Sequence, residues 1–553
     1  MVLGPKMAIQ TVPNKRHISI LQMKHFTSKK KQAVLKLMYG MLLVIIGFII
    51  VLVDPVEKIT QYFIDIRNGS FVTKMWQNPT YHLYSELYIY NYTNVPEFLS
   101  GEDKVLNLDE IGPFLFQENR TNENLTIDHD RGIMRMNPKI ELTFLPERSV
   151  AHYKDVIVQV PNIALIAIST LAADKLGYFA NVGAYYSMTA IGSKLFHNLT
   201  GEELLWGHKD PLVTVANNLL PGWIDFDKIG ILDRFYAQKF ETVEVEIRNK
   251  STKYSIVSWN DSPGLLEQGF TDLNTSTPCN TIKGSYEGLI LSSNPSKTKE
   301  VSIYRRQACR IYPFRFDDEF VGEYGFNVYR FKLSEMSFNK SSEYACKCSE
   351  HCLPDGFVDV SSCYYGFPIA LSKPHFLDAD PDQLANFRGM TPDASKHSSY
   401  LELEPHIGVP IKLTSKIQVN IAARSSPGNP ITKPVNGKLL PVVWLNLFCA
   451  EPPPEIITLL RLRFVIAPPL MITVEVLLFL VGTIIGGRAV RKIMRAKYQS
   501  VPTKTQKAEE KLSTKIVIDN EAFNDGEDLA KQMVSLLSIE LDDDALDLLE
   551  DRR

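Results

Sequence analysis

The stretch LMYGMLLVIIGFIIVLV, Leu37–Val53, contains no charged residue in 17 positions, and it determines how the rest of the chain folds. Extending it to Ala33 adds a single charge, Lys36, whose long stem can place its ammonium group at a membrane interface. The extended stretch has about 21 residues, or roughly 31 Å of helix, which matches the thickness of a bilayer core. Residues 33–53 are therefore predicted to be a transmembrane helix. Thirty-six residues precede the uncharged stretch and no small-x-small site follows it, which favours an uncleaved anchor over a signal peptide.

A second apolar stretch, residues 464–487, contains one charged residue, Glu475. Its 24 positions exceed the 10–14 that suit a buried core helix, so a second transmembrane helix is predicted. An ionised acid at mid-bilayer costs about 2.5–3.5 kcal/mol on insertion scales. Two interpretations of Glu475 remain open: a protonated carboxyl bonded to Tyr39 or to a second copy of the chain, or part of an ion pathway.

The charges beside the two stretches indicate the orientation of the chain. Residues 1–36 carry eight Lys or Arg and no acid, and residues 488–497 carry five basic residues and no acid. Basic flanks stay in the cytoplasm, although Arg461 and Arg463 before the second stretch count against this orientation. The predicted order is a cytoplasmic basic tail (1–32), helix 33–53, an extracellular or lumenal domain (54–463), helix 464–487 and a cytoplasmic, disordered tail (488–553).

Glycosylation sequons and cysteines support this topology, because all of them fall between the two stretches. Asn-x-Ser/Thr acceptors and an oxidising compartment both belong to the secretory side of a membrane. The nine acceptors are Asn68, Asn91, Asn119, Asn124, Asn198, Asn249, Asn260, Asn274 and Asn339. The seven cysteines are Cys279, Cys309, Cys346, Cys348, Cys352, Cys363 and Cys449.

Six of the cysteines cluster within 279–363, and an even number in an oxidising compartment favours three disulfides, for which the sequence allows 15 connectivities. The alternative is a zinc site built from Cys346, Cys348, Cys352 and His351. Cys449 is the odd cysteine, left as a free thiol or used between two copies in a homo-oligomer.

The domain between the two stretches is predicted to be α+β. Alternating apolar residues in LYSELYIYNYTN indicate strands, and short strand patterns recur up to about residue 450. Residues 150–222 differ: VPNIALIAISTLAADKL (160–176) and VGAYYSMTAIGSKLF (182–196) have helical length, and a capped helix is predicted from Thr200. The apolar residues 163–171 either form the core of this helical insertion or present a docking patch.

Composition and motifs give no support for several function classes. A net charge of −3 gives no basis for nucleic-acid binding. No HExxH, GxSxG, Walker or GxGxxG motif is present in the sequence, so neither an enzyme nor a bound cofactor or metal is expected.

The chain resembles the class B scavenger receptor family over about residues 33–490. The resemblance rests on five motifs in order. They are YNYTNVPEFLSGE with LDEIGPFLFQEN, then ELLWGHKDP (Glu203–Pro211), the six-cysteine cluster, KPHFLDADP (Lys373–Pro381) and RGMTPDASKHSSYLELEPHIGVPIKLTSKIQVN (Arg388–Asn420).

This resemblance implies an antiparallel β-barrel-like ectodomain with a helical apex and an apolar tunnel directed toward the membrane. It implies the disulfides Cys279–Cys346, Cys309–Cys363 and Cys348–Cys352. It also implies lipid ligands, namely fatty acids, sterols, phospholipids or lipoprotein-like particles. Lysines before the ELLWG motif bind ligand in the family, and in this chain that segment offers Lys194.

The C-terminal tail contains two sorting patterns. Asp544, Leu548 and Leu549 fit an acidic dileucine motif, and Tyr498–Val501 fits a tyrosine motif. They predict residence in endosomes or lysosomes as well as at the plasma membrane.

The leading hypothesis is therefore a lipid receptor and transfer protein. A sorting or adhesion receptor that binds a protein at its apex is the alternative, followed by a two-span ligand-gated ion channel.

Overall fold

The computed structural model describes residues 15–499, except 220, 221, 223, 238, 239, 289, 347, 349–351 and 450, and side chains from Lys29 to Lys497. The sorting residues Asp544, Leu548 and Leu549 and residues 500–501 of the tyrosine motif lie outside this range, as does His351. The described chain divides into two compact units, one of which is Pro55–Leu470.

The other unit is dominated by two long helices, α1 (Lys15–Val53) and α13 (Ala467–Gln499). The helical stretches Lys29–Phe63 and Pro454–Lys497 are long and apolar enough to cross a membrane, by length and composition. The predicted span 33–53 lies within α1, and most of the span 464–487 lies within α13.

Glycines allow α1 and α13 to pack closely. A Cβ atom on Gly40 would lie 2.7 Å from the carbonyl oxygen of Gly482 and 2.8 Å from the amide nitrogen of Gly486. Phe479 packs its ring on Gly47 and meets Phe48 edge to face at 5.2 Å. Small residues four apart permit such backbone approach between apolar helices, where the hydrophobic effect cannot drive association in lipid.

The Pro55–Leu470 unit is built on β-strands, as the alternating apolar pattern predicted. Its strands are β1 (Leu83–Tyr92), β2 (Leu106–Asp128), β3 (Ile133–Phe144), β4 (Ile157–Pro161), β5 (Phe196–Thr200), β6 (Val243–Glu246), β7 (Ile256–Trp259), β8 (Val301–Arg305), β9 (Arg310–Val321), β10 (Asn327–Leu333), β11 (Phe357–Asp359), β12 (Ile369–Ser372), β13 (Phe387–Arg388), β14 (Tyr400–Glu404), β15 (Val409–Ala422) and β16 (Leu439–Cys449).

The large sheet has the strand order β7-β6-β3-β2-β1-β16-β15-β14-β10-β9-β8, and its neighbours along this path are antiparallel. N-terminal strands form one half and C-terminal strands the other. The halves meet where β1 pairs with β16, in a register from Leu83 opposite Cys449 to Ile89 opposite Val443.

A short segment around residues 284–286 joins the two end strands of this sheet. The Gly284 amide donates to the carbonyl of Ile256 in β7 (2.9 Å), and the Tyr286 amide donates to that of Ser302 in β8 (2.9 Å). The sheet is thereby closed into a barrel-like body, and the α+β class predicted from the sequence is confirmed.

The remaining helices of this unit lie between strands or adjoin the predicted spans. They are α2 (Pro55–Phe63), α3 (Phe71–Gln77), α4 (Val95–Ser100), α5 (Ile163–Lys175), α6 (Tyr178–Ile191), α7 (Gly201–Trp206), α8 (Pro211–Leu219), α9 (Ile231–Phe235), α10 (Pro381–Leu384), α11 (Ala394–His397) and α12 (Pro454–Arg461). A π-helical turn, Leu462–Ile466, follows α12.

The helical insertion forms where it was predicted, with different ends. Thr200 caps α7 in a capping box with Glu203, as its sequence indicated. The stretch 182–196 was predicted to be helical throughout, but α6 ends at Ile191 because Gly192 adopts φ +76°, and Phe196 opens β5 instead. Leu165 and Ile166 in α5 are fully buried, so the apolar residues 163–171 belong mainly to the core of the insertion.

Candidate functional site

An apolar cavity of about 180 Å³ lies in the Pro55–Leu470 unit, where α2, α3 and α12 meet the sheet. For comparison, a cavity of about 150 Å³ is large enough to bind benzene. Its walls are formed by Val56, Ile59, Thr60, Phe63, Ile64, Phe71, Val72, Met75, Trp76, Tyr81, Ile290, Ile407, Val409, Ile456, Leu459, Leu460, Leu462, Arg463 and Ala467.

Helical spacing places these side chains on common faces. In α2, Val56, Ile59, Thr60 and Phe63 recur at intervals of three and four residues, which is one face of an α-helix. Pro55 occupies the first turn of α2, where its missing N–H costs nothing. This face of α2, which is apolar except for Thr60, therefore lines the cavity.

The cavity contains few polar groups. The Thr60 hydroxyl donates to the carbonyl of Val56 in its own helix (2.8 Å), and the Tyr81 hydroxyl donates to that of Pro410 (3.3 Å). Burial raises the pKa of Tyr81, so its phenol stays neutral. The charged group on the wall is the guanidinium of Arg463.

Arg463 sits at the edge of the cavity in an ion pair. Its Nη2 lies 2.9 Å from Oε2 of Glu57, with side-chain exposures of 21% for Arg463 and 44% for Glu57. Among the described residues, its buried Nε has no hydrogen-bond partner. Arg463 can therefore still donate to an anionic group at the rim.

Exposed apolar side chains surround this edge. Ile59 is 56% exposed and Tyr62 62% exposed on α2, and Leu462 (52%) and Ile466 (51%) belong to the π-helical turn. Soluble surfaces rarely collect such residues in one place, and where they do the patch usually meets a ligand, a partner or a membrane.

A second, charged network lies inside the barrel-like body. The fully buried Glu118 carboxylate accepts hydrogen bonds from Ser85 (2.9 Å), Tyr236 (2.6 Å) and Arg120 (2.8 Å). Burial alone would raise the pKa of Glu118, but Arg120 and the hydrogen bonds outweigh it and the pKa lies below its usual value. Burial, together with the charge of Arg120, lowers the pKa of nearby Arg305 to about 10. The hydrogen bonds of this network connect β1 and β2 to Tyr236, the residue that follows α9.

Residues from three of the recognised motifs meet in another cluster, in which the histidines are buried and Glu110 reaches the surface. His375 Nδ1 accepts a hydrogen bond from the Thr391 amide (3.0 Å), so its Nε2 donates to Glu110 (2.6 Å), which also accepts from Trp444 (2.7 Å). The ring of His397 stacks on His375 at 4.3 Å. These motifs therefore build the body of the domain, and none of their residues lines the apolar cavity except Ile407 and Val409.

The structure pairs the cysteines as the resemblance implies: Cys279–Cys346, Cys309–Cys363 and Cys348–Cys352. Cysteines bonded in this way cannot supply thiolates to a zinc ion. Cys449 is a buried thiol at the end of β16 that contacts the carbonyl of Glu451 (3.5 Å), and burial raises its pKa to about 11. Its position favours a free thiol over a bond between copies.

The other predicted residues are placed as follows. Seven glycosylation asparagines are exposed, while Asn91 and Asn339 are half-buried. Lys194 is exposed in the loop between α6 and β5, well separated in sequence from the cavity walls. Glu475 is half-buried in α13, and within the described part of the chain it has neither a hydrogen bond nor an ion pair. The predicted contact with Tyr39, which is 54% exposed, is absent there.

Sequence reasoning missed the residues of the cavity. Those of α2 and α12 were included in an undivided ectodomain, and Arg463 was counted only as a charge beside the second span. Amphipathic spacing directly next to the two apolar stretches is the signal that points to them.

Two helices of spanning length and a β-rich domain between them define a class of two-helix membrane proteins. A family model described as the CD36 family matches residues 38–492. The chain is 28% identical over 421 residues to scavenger receptor class B member 1 of Cricetulus griseus, covering 74% of this chain and 79% of that protein. It is 27% identical over 399 residues to lysosome membrane protein 2 of Homo sapiens, covering 71% and 80%.

The chain belongs to the CD36 family. The resemblance to class B scavenger receptors found in its motifs is confirmed.

Proposed function

We propose that this protein is a membrane receptor that binds lipids or lipid-carrying particles and passes lipid along an apolar path to the membrane. The observation that carries the proposal is the apolar cavity with Arg463 at its rim. The relatives named as scavenger receptor and lysosome membrane protein support a receptor in a membrane. Both termini are proposed to be cytoplasmic.

An apolar path suits this task because the barrier to lipid transfer is solvation. Moving an acyl chain from a membrane into water costs about 0.8 kcal/mol per CH₂. A protein cavity that replaces the lost apolar contacts lowers that barrier without a chemical step. The function therefore needs no catalytic residue.

Arg463 narrows the ligand class. An apolar wall accommodates a hydrocarbon chain, and a guanidinium binds carboxylate or phosphate through paired N–H donors. The ligand that satisfies both is an amphiphile with an anionic headgroup, such as a long-chain fatty acid. Its chain would occupy the cavity and its headgroup the rim.

The test is photocrosslinking of a diazirine fatty acid to the full-length protein in lipid nanodiscs. Leu459→Trp adds bulk to a half-buried wall residue of α12, and it should reduce labelling at least fivefold. Ile457→Trp is the matched control, on the same helix, half-buried and not part of the wall. Equal labelling of both variants and the parent chain would overturn the proposal, as would the absence of labelled peptides from α2, α3 or α12.

Residence at the plasma membrane and in endosomes or lysosomes is part of the proposal. It rests on the dileucine motif, since sorting motifs of this kind are read by the endocytic machinery. Replacing Leu548 and Leu549 by alanine should increase the surface pool measured by biotinylation. An unchanged surface pool would remove the motif from the proposal.

A protein-binding role at the helical insertion is a second candidate, favoured by one observation. α6 and the turn before it expose Phe179 (87%), Tyr186 (65%), Tyr178 (59%) and Leu176 (50%). Aromatic residues anchor many protein interfaces. If this surface binds a protein, Phe179→Ser should abolish capture of particles and leave fatty-acid labelling unchanged. If the variant keeps both activities, protein binding at this surface is excluded.

A further inference from the structure

A cluster of metal-binding side chains lies in the helical insertion, away from the apolar cavity. His197 belongs to β5, His208 follows α7, and Asp210 precedes α8. One ligand atom from each lies within 4.8 Å of the other two. Two imidazoles and a carboxylate are the donor set of many three-ligand zinc sites.

The fold positions each of the three residues independently. His197 is held by the pairing of β5 with β4, opposite Val160. His208 forms a backbone bridge with Ile229, with N–O distances of 3.2 and 3.0 Å. The rings of His197 and His208 meet edge to face at 5.3 Å.

The two carboxylate oxygens of Asp210 have different surroundings. Oδ1 accepts the amide of Leu212 (2.7 Å) and so satisfies a free N–H at the start of α8. Oδ2 faces His208, at 4.0 Å from Nε2. Asp210 is 5% exposed, so water does not fully solvate this carboxylate.

The ring of His208 is oriented as metal-bound histidines are. Its Nδ1 lies 3.4 Å from the carbonyl oxygen of Glu203, a contact that requires a proton on Nδ1. Nε2 then carries the lone pair. Metal-bound histidines commonly donate their second N–H to a carbonyl or carboxylate in this way.

That lone pair is unsatisfied. Nε2 of His208 is buried and has no hydrogen-bond partner among the described residues. It points toward a carboxylate oxygen too distant for a hydrogen bond, and two electron-rich atoms facing each other repel unless a cation lies between them.

The space beside the rings fits one small particle. A cavity of about 10 Å³ borders the two histidines but not Asp210, and its volume is close to that of one water molecule by the same kind of measure. Zinc–nitrogen and zinc–oxygen bonds of about 2.0–2.2 Å place tetrahedral ligands roughly 3.4 Å apart. Small side-chain rotations, of about 1 Å or less at the ligand atoms, would bring the three together.

We propose that His197, His208 and Asp210 bind a divalent zinc ion, with water as the fourth ligand. The ion joins β5, the turn after α7 and the start of α8. It therefore stabilises the helical insertion, independently of any lipid in the apolar cavity.

The test measures zinc binding by full-length protein that has been stripped with a chelator and repurified. The parent chain should bind one zinc ion, and His197→Gln and His208→Gln should each weaken binding at least tenfold. Asp210→Asn should weaken it too, because asparagine preserves the helix cap but not the charge. His82→Gln, which changes an exposed histidine outside the cluster, should bind as the parent does.

Cobalt substitution keeps the proposal testable if a variant fails to fold. The parent chain loaded with Co²⁺ should show the intense visible absorption of a four-coordinate ion. Zinc binding that His82→Gln weakens as much as His208→Gln would identify adventitious surface binding and overturn the proposal. The proposal would also be overturned if the parent chain bound no zinc. The same holds if His197→Gln and His208→Gln both bound zinc as tightly as the parent chain.

Discussion

Arg463→Gln should distinguish the contribution of the lipid headgroup to binding affinity from that of the hydrocarbon chain. The substitution removes the guanidinium at the cavity rim and leaves the apolar wall in place. Affinity for a fatty acid should fall, while affinity for a fatty alcohol of the same length should not. Glu57→Gln should act in the opposite direction, because it releases Arg463 from an ion pair of 2.9 Å.

The magnitude follows from the position of Arg463. A hydrogen bond to a charged group contributes about 1.5–3 kcal/mol, which corresponds to roughly 10- to 150-fold in Kd. Because the side chain is 21% exposed, the lower end applies, and about a tenfold loss is expected. Releasing a partly exposed ion pair is worth about 0.2–1 kcal/mol, so Glu57→Gln should tighten fatty-acid binding by about 1.4- to 5-fold.

Displacement of a fluorescent fatty acid from the full-length protein measures both effects. Fatty acid and fatty alcohol are titrated as competitors at the same chain length, and the unfolding temperature of each variant is recorded. The loss of a half-exposed ion pair should change that temperature little. Equal weakening of acid and alcohol binding by Arg463→Gln would refute a role of Arg463 in headgroup binding, and so would weaker acid binding by Glu57→Gln.

Three further predictions concern the fold. Arg120→Met removes the cation that is paired with the buried Glu118 carboxylate. It should lower the free energy of unfolding, measured by chemical denaturation, by about 3–5 kcal/mol. The double variant Arg120→Met with Glu118→Met removes both charges and should recover most of that loss. Gly482→Leu should separate α1 from α13, because a Cβ at this position would lie 2.8–2.9 Å from α1 atoms. Gly487→Leu is the control, since a Cβ there meets no atom within 4 Å. Cross-linking between cysteines placed in the two helices measures the change. Burial and a neighbouring histidine lower the pKa of His397 from 6.5 to about 4. Because the unfolded chain binds a proton at this residue at a higher pH than the folded chain does, the free energy of unfolding should fall as the pH drops from about 6.5 to 4. Denaturation curves across that range should show a pH dependence smaller by about one proton for His397→Gln.

Local signals in the sequence predicted much of this architecture. The charge-free residues 37–53 identify a spanning-length helix because no soluble surface tolerates such a run. Thr200 and Glu203 mark the start of α7, because the side chain of each accepts a hydrogen bond from the backbone N–H of the other. Alternation in β1 appears in the structure as alternating burial from Leu83 to Ile89.

The functional geometry could not be predicted in the same way, because it depends on packing between distant segments. The cavity brings Val56 and Ile59 together with Ile407 and Arg463, about 400 residues later in the chain. In sequence these apolar residues look like ordinary core positions. His197 likewise reaches His208 only through the pairing of β5, and His208 itself is hidden inside a motif that indicates the family.

The pairing of β1 with β16 has a consequence for how the protein is made. Ribosomes add about 5–20 residues per second, so β1 is synthesised roughly 20–70 s before its partner is complete. During that interval β2 and β3 can already pair with one another and with β1, but the edge of β1 that later binds β16 keeps its backbone N–H and C=O groups unpaired. An open strand edge of this kind invites association between nascent chains. The sheet can therefore close only after β16 has been synthesised, and chaperones have a defined edge of β1 to protect until that last strand arrives.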